Sequence, residues 1–94
     1  MLPNFEWDEE KARLNRNKHQ VSFDEATTVF ADQFSTTIAD PDHSKSEQRY
    51  IVIGISNRGR VLVTVYTERS GKIRIISCRK ATATERRQYE ESGE

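Results

Sequence analysis

The sequence predicts a single α+β domain, in which a short strand and two helices precede four antiparallel strands and a last helix. Three observations predict this class. The length of 94 residues fits one domain. Helical patterns with N-cap residues come first, and four runs of β-forming residues joined by short turns follow. Charged residues (32%) nearly equal apolar ones (34%), so we expect one domain over residues 1–94 with one face of the sheet in water.

The N-terminal segment predicts a strand followed by a helix. Phe5-Glu6-Trp7 alternates apolar and polar residues, as a short strand does. Asp8 is a good helix N-cap, and the two acidic residues after it stand where the helix dipole favours negative charge. We therefore expect a helix over residues 8–17. Few of its residues are apolar, so much of it should face water.

A second helix is predicted to begin at Ser22. Ser22 and Glu25 have the spacing of a capping box, in which the serine accepts from the Glu25 amide and the glutamate reaches back to the cap. Phe23, Ala26 and Phe30 recur at helical spacing, and Val29 widens the stripe. This helix should pack on the sheet.

Four strands and a last helix are predicted after it. The strands are rich in Ile, Val, Thr and Tyr and cover residues 34–39, 49–56, 61–68 and 72–79. Asn57-Arg58-Gly59 and Ser70-Gly71 are typical of hairpin turns, and residues 40–47 form a polar loop. Thr82 and Glu85 form another capping box, which begins a polar helix anchored by Tyr89 that should be exposed or used for binding.

The zero net charge excludes a globally basic protein and conceals two basic segments. Residues 11–23 contain four cations, His19 and no acid, and residues 69–84 contain five cations and no acid. Cations without a compensating acid repel one another unless an anion is near, so the second segment predicts a phosphate site. Strict alternation would place Arg74 and Arg79 on opposite faces of the last strand. Strand ends and turns would then be needed to direct these cations towards one ligand.

The cellular setting is indicated by what the sequence lacks. Cys78 is the only cysteine, and with two distant histidines it makes neither an internal disulfide nor a zinc site of usual spacing. The sequence has no signal-peptide pattern and no apolar run of about 18 residues. We expect a cytoplasmic protein that has no cofactor, no metal and no membrane contact.

Nearly the whole length resembles the BrnT family of ribonuclease toxins of bacterial type II toxin–antitoxin systems. The resemblance rests on the order and spacing of these segments: Phe5-Glu-Trp-Asp8, Lys11-Ala12, Asn15-Arg-Asn-Lys-His-Gln-Val-Ser-Phe23, Glu25-Ala26, Val29-Phe30, Asp32, Glu47, Arg49, Thr67-Glu-Arg69, Arg74-Ile-Ile-Ser-Cys-Arg-Lys-Ala81, Glu85-Arg86 and Tyr89. Two positions depart from the family pattern, because Gln20 stands where glycine is common and Cys78 where alanine is common. The resemblance implies a RelE-like fold, metal-independent RNA cleavage that stops growth, and neutralisation by a DNA-binding, BrnA-like antitoxin in an oligomeric complex.

Metal-independent RNA cleavage needs a base, an acid and cations around the phosphate. Arginine clamps phosphate with two parallel hydrogen bonds, and histidine can donate or accept a proton near neutral pH. The candidate catalytic residues are therefore Arg69, Arg79, Lys80, Lys18, His19 and Glu47. The candidate RNA-binding residues are Arg49, Lys72, Arg74 and Trp7.

Each candidate also has an ordinary structural interpretation. The lysines and arginines could be solvated charges, and Glu47 and Glu68 could be salt-bridge partners of neighbouring arginines. His19 could cap a helix, His43 is a weaker candidate for catalysis, and Trp7 could pack under the first helix instead of stacking on a base.

The alternative function is a non-catalytic RNA- or protein-binding module with the same fold. A metal-dependent nuclease is disfavoured, because no carboxylate pair or His/Cys group has suitable spacing. In either case we expect an acidic or amphipathic segment of a partner to lie over the basic surface made by residues 11–19 and 69–80.

Overall fold

Three α-helices and five strands form in the described part of the chain, residues 4–41 and 47–92 of a computed structural model. In chain order they are β1 (Asn4–Glu6), α1 (Glu9–His19), α2 (Phe23–Thr27), a 3-10 helix (Thr28–Ala31), β2 (Thr36–Ala39), β3 (Arg49–Ile55), β4 (Val61–Arg69), β5 (Lys72–Lys80) and α3 (Ala83–Ser92). The predicted α+β class and order of elements are confirmed. Residues 42–46 of the predicted polar loop lie outside the described residues.

The strands form one sheet in the order β1-β5-β4-β3-β2. The pairs among β2, β3, β4 and β5 are antiparallel, as predicted. The prediction of a four-stranded antiparallel sheet is wrong in one respect, because β1 joins β5 in parallel, with Phe5 opposite Ile73. This pairing joins two segments that are far apart in the sequence. No turn connects them directly, so the sequence has no turn signal that predicts the pairing.

Helix α1 begins as predicted and ends two residues later. The Asp8 carboxylate accepts from the amides of Glu10 and Lys11 at 2.9 and 3.1 Å. At the other end Gln20 has a φ of 57° and its amide donates to the Arg16 carbonyl at 2.9 Å. This is the left-handed position after a helix that glycine occupies most easily. Gln20 therefore carries a backbone cost that the family's usual glycine avoids.

The capping box of α2 forms only in part. Ser22 Oγ accepts from the Glu25 amide at 3.0 Å. The Glu25 side chain is buried instead of reaching back to the cap: it accepts from Ser56 Oγ at 2.7 Å and from Arg60 Nε at 2.9 Å. Glu25 forms an ion pair with Arg60, the residue before β4, in place of its predicted contact with the cap. A buried carboxylate needs a charged partner.

The core lies between the sheet and the helices α1 and α2. Phe23, Ala26 and Val29 are buried as predicted, and Phe30 is half-buried against them. They pack on a set of sheet residues, Val52, Leu62, Ile73, Ile75 and Cys78. The Cys78 thiol is fully buried, lies 3.1 Å from Thr64 Oγ1, and has a pKa raised to about 11 by burial. It is therefore an uncharged core side chain.

An irregularity in β5 changes the faces of the last strand. Val65 pairs with Ser77 and the next residue, Tyr66, pairs with Ile75, so Ile76 is skipped as in a β-bulge. The strict alternation expected from the sequence is wrong beyond this point. Lys72, Arg74, Ser77 and Arg79 share one face, whereas Ile73, Ile75, Cys78 and Lys80 share the face that the helices cover.

The edge of β5 beyond the bulge is held by α1. The Asn15 amide group is buried, donates to the carbonyls of Val21 and Cys78 at 3.0 and 2.8 Å, and accepts from the Cys78 amide at 3.1 Å. One side chain thus replaces the neighbouring strand that β5 lacks there, since β1 accompanies only residues 72–74.

Candidate functional site

The sheet surface opposite α1 and α2 carries most of the predicted site residues, and we call it the open face. Residues paired across neighbouring strands share a face, so the register defines its members. They include Arg49, Ile51 and Ile53 of β3, Val63, Val65 and Arg69 of β4, Lys72, Arg74, Ser77 and Arg79 of β5, Ile38 of β2 and Glu6 of β1. The bulge at Ile76 is what puts Arg74 and Arg79 on this one surface.

Four cations gather where β3 begins and where the β4–β5 hairpin turns. Arg69 pairs with Lys72 in the ladder, and Arg49 and Arg74 are both opposite Thr67. Ser70 and Gly71 make the turn between Arg69 and Lys72, with φ of 50° and 79°, as a two-residue type I′ hairpin requires. We call this region, with the carboxylates of Glu6 and Glu47, the charged end.

Two carboxylates lie against these cations. Glu47 accepts from Arg69 Nε at 2.6 Å and from Arg69 Nη2 at 3.0 Å. The Arg69 hydrogen bond holds the pKa of Glu47 below its usual value, and the charges of Arg49 and Arg74 lower it further. Glu6, brought in by the parallel strand, accepts from Arg74 Nη1 at 3.1 Å. Glu47 is therefore a carboxylate at neutral pH within the field of three arginines.

The opposite end of the open face contains a third ion pair. Arg79 donates to both oxygens of Glu85, at 2.8 and 2.9 Å. Glu85 also accepts from the Thr82 amide at 2.9 Å, which completes the predicted capping box of α3. Together these contacts lower the pKa of Glu85 to about 2, with the Arg79 hydrogen bond as the largest cause. We call Arg79, Glu85, Ser77 and the adjoining His19 the far end.

An apolar groove begins at the far end and extends along the open face towards the charged end, whose residues do not line it. It has a volume of about 350 Å³, and its floor is made of aliphatic side chains from three strands, with Ile38, Ile51, Ile53, Val63 and Val65. His19, Arg79 and Glu85 border it at the far end. Ile38 is 56% exposed. The open face is thus an apolar strip with charged groups at both ends.

The structure brings together some predicted site residues and separates others. Arg49, Glu47, Arg69, Lys72 and Arg74 meet at the charged end. Arg79 is four ladder steps from Arg74, roughly 13 Å along the strand at 3.3 Å per residue, and the two guanidinium groups bind different carboxylates. Arg79 and His19 lie at the far end.

The remaining predicted residues lie away from the open face. Lys80 and Glu68 are exposed on the helix side of the sheet, and Lys18 is exposed on α1. Trp7 packs edge-on against Phe23 with ring centroids 5.9 Å apart and donates from Nε1 to Glu9 at 3.1 Å. His43 lies outside the described residues.

Glu6 and Glu85 are the two site residues that the sequence analysis missed. The capping-box spacing predicts only the contact of Glu85 with the helix cap. The sequence has no signal for its second contact, with Arg79. Glu6 alternates with Phe5 and Trp7, but its partner became evident only from the parallel pairing of β1 with β5. Three arginines of segment 69–84 therefore have carboxylate partners from elsewhere in the chain. Repulsion among the cations of this segment does not by itself require an external anion.

Within residues 4–41 and 47–92, no three His, Cys, Asp or Glu side chains are grouped as ligands of a metal ion. No helix in the same residues is long and apolar enough to cross a bilayer.

Comparison with known proteins adds a family and a fold. A family model described as the ribonuclease toxin, BrnT, of a type II toxin–antitoxin system matches residues 7–85. Among solved structures, the chain is similar to the ribonuclease toxin BrnT of Brucella abortus, with a TM-score of 0.63 and 22% sequence identity over 85% of this chain and 97% of that one. At that identity the structural likeness supports the fold alone. No curated protein matches the sequence.

Proposed function

Because the chain belongs to the BrnT family of ribonuclease toxins of type II toxin–antitoxin systems, we propose that it cleaves RNA without a metal ion at the charged end of its open face. The observation that carries this proposal is the convergence of Arg49, Arg69, Lys72 and Arg74 beside the Glu47 carboxylate. The far end, with Arg79 and His19, then binds a flanking phosphate of the same strand.

Charge stabilisation comes from the arginines. A guanidinium that holds a carboxylate through two parallel hydrogen bonds has the geometry to hold a phosphate in the same way. Arg69 is 50% exposed at its side chain, so an arriving phosphate can reach it without unfolding the strand. Negative charge that develops on the phosphate during cleavage is then met by fixed positive charge.

The proposed reaction is attack by the ribose 2′-oxygen on the adjacent phosphorus. The bond from the 2′-oxygen to phosphorus forms while the bond from phosphorus to the 5′-oxygen breaks, which leaves a 2′,3′-cyclic phosphate. Glu47 takes the 2′ proton, and the Lys72 ammonium supplies a proton to the leaving 5′-oxygen. The low pKa of Glu47 keeps it in the basic form, although it also makes the carboxylate a weaker base.

The antitoxin belongs to the same proposal. Membership of a type II system implies an antitoxin partner. We expect a DNA-binding, BrnA-like protein that forms an oligomeric complex and lays an amphipathic segment along the apolar groove, with its acidic end over the charged end. The sequence resemblance implies a RelE-like architecture, and the fifth strand, β1, is a departure from the four-stranded sheet expected for it.

The test is an RNA cleavage assay in EDTA. Purified protein is incubated with single-stranded RNA and with DNA of the same sequence, and products are analysed for cyclic phosphate ends. We expect RNA to be cut and DNA to stay intact, because DNA lacks the attacking hydroxyl. Arg69→Gln and Glu47→Gln should each lower kcat about 10²- to 10³-fold, whereas Arg58→Gln in the distant β3–β4 turn is the matched control.

Two results would contradict the proposal. Intact RNA in a shifted complex would make the protein a binding module, and cleavage that stops in EDTA and returns with a divalent ion would make it a metal-dependent nuclease.

A further inference from the structure

A second groove lies beside the open face, between helix α1 and strand β5. It has a volume of about 230 Å³ and is lined by Lys11, Leu14, Asn15, Lys18, His19, Ile76 and Ser77. Four of these residues, Lys11, Leu14, Asn15 and Lys18, follow one another at helical spacing on the same side of α1. We call it the α1 groove.

The two grooves adjoin each other. His19 and Ser77 line both the apolar groove of the open face and the α1 groove. They adjoin because β1 ends at Glu6, and within the described residues no strand covers the edge of β5 beyond Arg74. A chain that leaves the far end can therefore cross Ser77 and enter the α1 groove without a change in the fold.

The α1 groove has the composition of a site for single-stranded RNA. Lys11 and Lys18 are exposed, and neither forms a salt bridge with another described residue. Between them Leu14 is 52% exposed, and the bulged residue Ile76 lies opposite. Such sites usually combine two elements. Cations contact the phosphate backbone, and an apolar surface contacts an unstacked base.

We infer that an RNA strand bound at the open face continues over Ser77 and His19 into the α1 groove, where Lys11 and Lys18 contact phosphates and Leu14 and Ile76 contact a base. This inference rests on the proposed function for the identity of the ligand. The lining of the α1 groove contains two lysines and no carboxylate, so its charge suits a phosphate backbone.

The test measures binding separately from cleavage. Fluorescent 2′-O-methyl RNAs of about 4 and about 12 nucleotides cannot undergo attack by the 2′-oxygen, so their affinity is measured without turnover. We expect the wild type to bind the longer RNA more tightly. The Lys11→Gln/Lys18→Gln variant should lose about tenfold of that affinity and reduce the salt slope by about 0.7 per lysine.

Arg13 and Arg16 provide the matched control. They lie on α1 outside the groove lining, so Arg13→Gln/Arg16→Gln removes the same charge without touching the groove. This variant should keep the affinity for the longer RNA, and Leu14→Ala should weaken it without changing the salt slope.

Three results would overturn the inference. The wild type could show no advantage for the longer RNA, both charge variants could lose affinity equally, or the groove variant could keep RNA affinity and lose only antitoxin binding. Cleavage of unmodified RNA by the wild type is scored separately. If the α1 groove binds RNA and unmodified RNA stays intact, the proposed function fails and the groove stands.

Discussion

Arg79 has one charged partner within the protein and is proposed to have another in the substrate. Its side chain is 42% exposed while it holds Glu85, so the ion pair is open to competition by phosphate. A pair this exposed adds little to stability. The residue can therefore exchange partners without loss of the core.

We predict that Arg79→Ala raises KM for RNA roughly 10- to 100-fold, because a charged hydrogen bond to a flanking phosphate is lost. The fold should persist by circular dichroism, and steady-state kinetics would measure the change. Glu85→Gln is the informative control, since it breaks the same ion pair and leaves the guanidinium in place. If both variants raise KM equally, docking of α3 matters and the phosphate contact does not.

The pH dependence of cleavage distinguishes Glu47 from His19. If Glu47 is the base, the rate is constant through neutral pH and falls only below the usual range of a glutamic acid, because the pKa of Glu47 is lowered. His19→Gln should then raise KM and preserve the pH profile. A rate change near neutral pH that disappears in His19→Gln would move the reaction to the far end.

The Asn15 side chain links helix α1 to strand β5 by hydrogen bonds. Asn15 makes three hydrogen bonds to backbone groups of Val21 and Cys78. We predict that Asn15→Ala lowers the free energy of unfolding by about 3 kcal/mol, because buried backbone groups lose their partners. Urea denaturation measures this, and Asn17→Ala on the exposed side of α1 should change it little. Equal losses in the two variants would assign the effect to helix propensity.

The first turn of helix α3 is held by the ionised form of Glu85. Its pKa is about 2 in the folded protein against 4.5 for an ordinary glutamate. A lowered pKa contributes stability that is present above the ordinary value and is lost as the pH falls towards 2. We predict that the first turn of α3 loosens between about pH 5 and pH 2, and amide exchange of residues 83–86 would measure this. Glu85→Gln should be loose already at neutral pH and show no such transition; persistence of the acid transition in that variant would assign it to another carboxylate.

At the scale of the whole molecule, local signals in the sequence predicted most of the elements. The N-cap at Asp8, the hairpin turn at Ser70-Gly71 and the capping box at Thr82 were all found where predicted. Each involves residues only a few positions apart, whose side chains act on the nearest backbone. The parallel pairing of β1 with β5 is a property of the assembled chain and has no local signature.

The candidate site was less predictable for the same reason. Basic residues and Glu47 were identifiable by type, but which of them meet depends on the register of four strands. One skipped residue, Ile76, decides whether Arg79 shares a face with Arg74. Strict alternation gave the wrong face because the sequence around Ile76 has no local signal for this bulge.

The antitoxin should cover the whole open face. We predict that hydrogen exchange in the complex is slowed in β3, β4 and β5, and that association slows as salt rises, because opposite charges steer the encounter. Charge reversal by Arg69→Glu should weaken both RNA cleavage and antitoxin binding. Protection confined to the β2–β3 connection, with none on β4 and β5, would exclude direct occlusion.

The burial of Cys78 allows local opening of the sheet to be measured by the chemical reactivity of its thiol. A thiol that is fully buried and almost wholly protonated reacts with an alkylating agent only while β5 has separated from α1 and β4. Since this chain has one cysteine, each alkylated molecule has opened at this site at least once. Trapping rates in the free toxin and in its complex would therefore give, without any engineered label, the frequency with which the centre of the sheet comes apart and the degree to which a bound partner suppresses it.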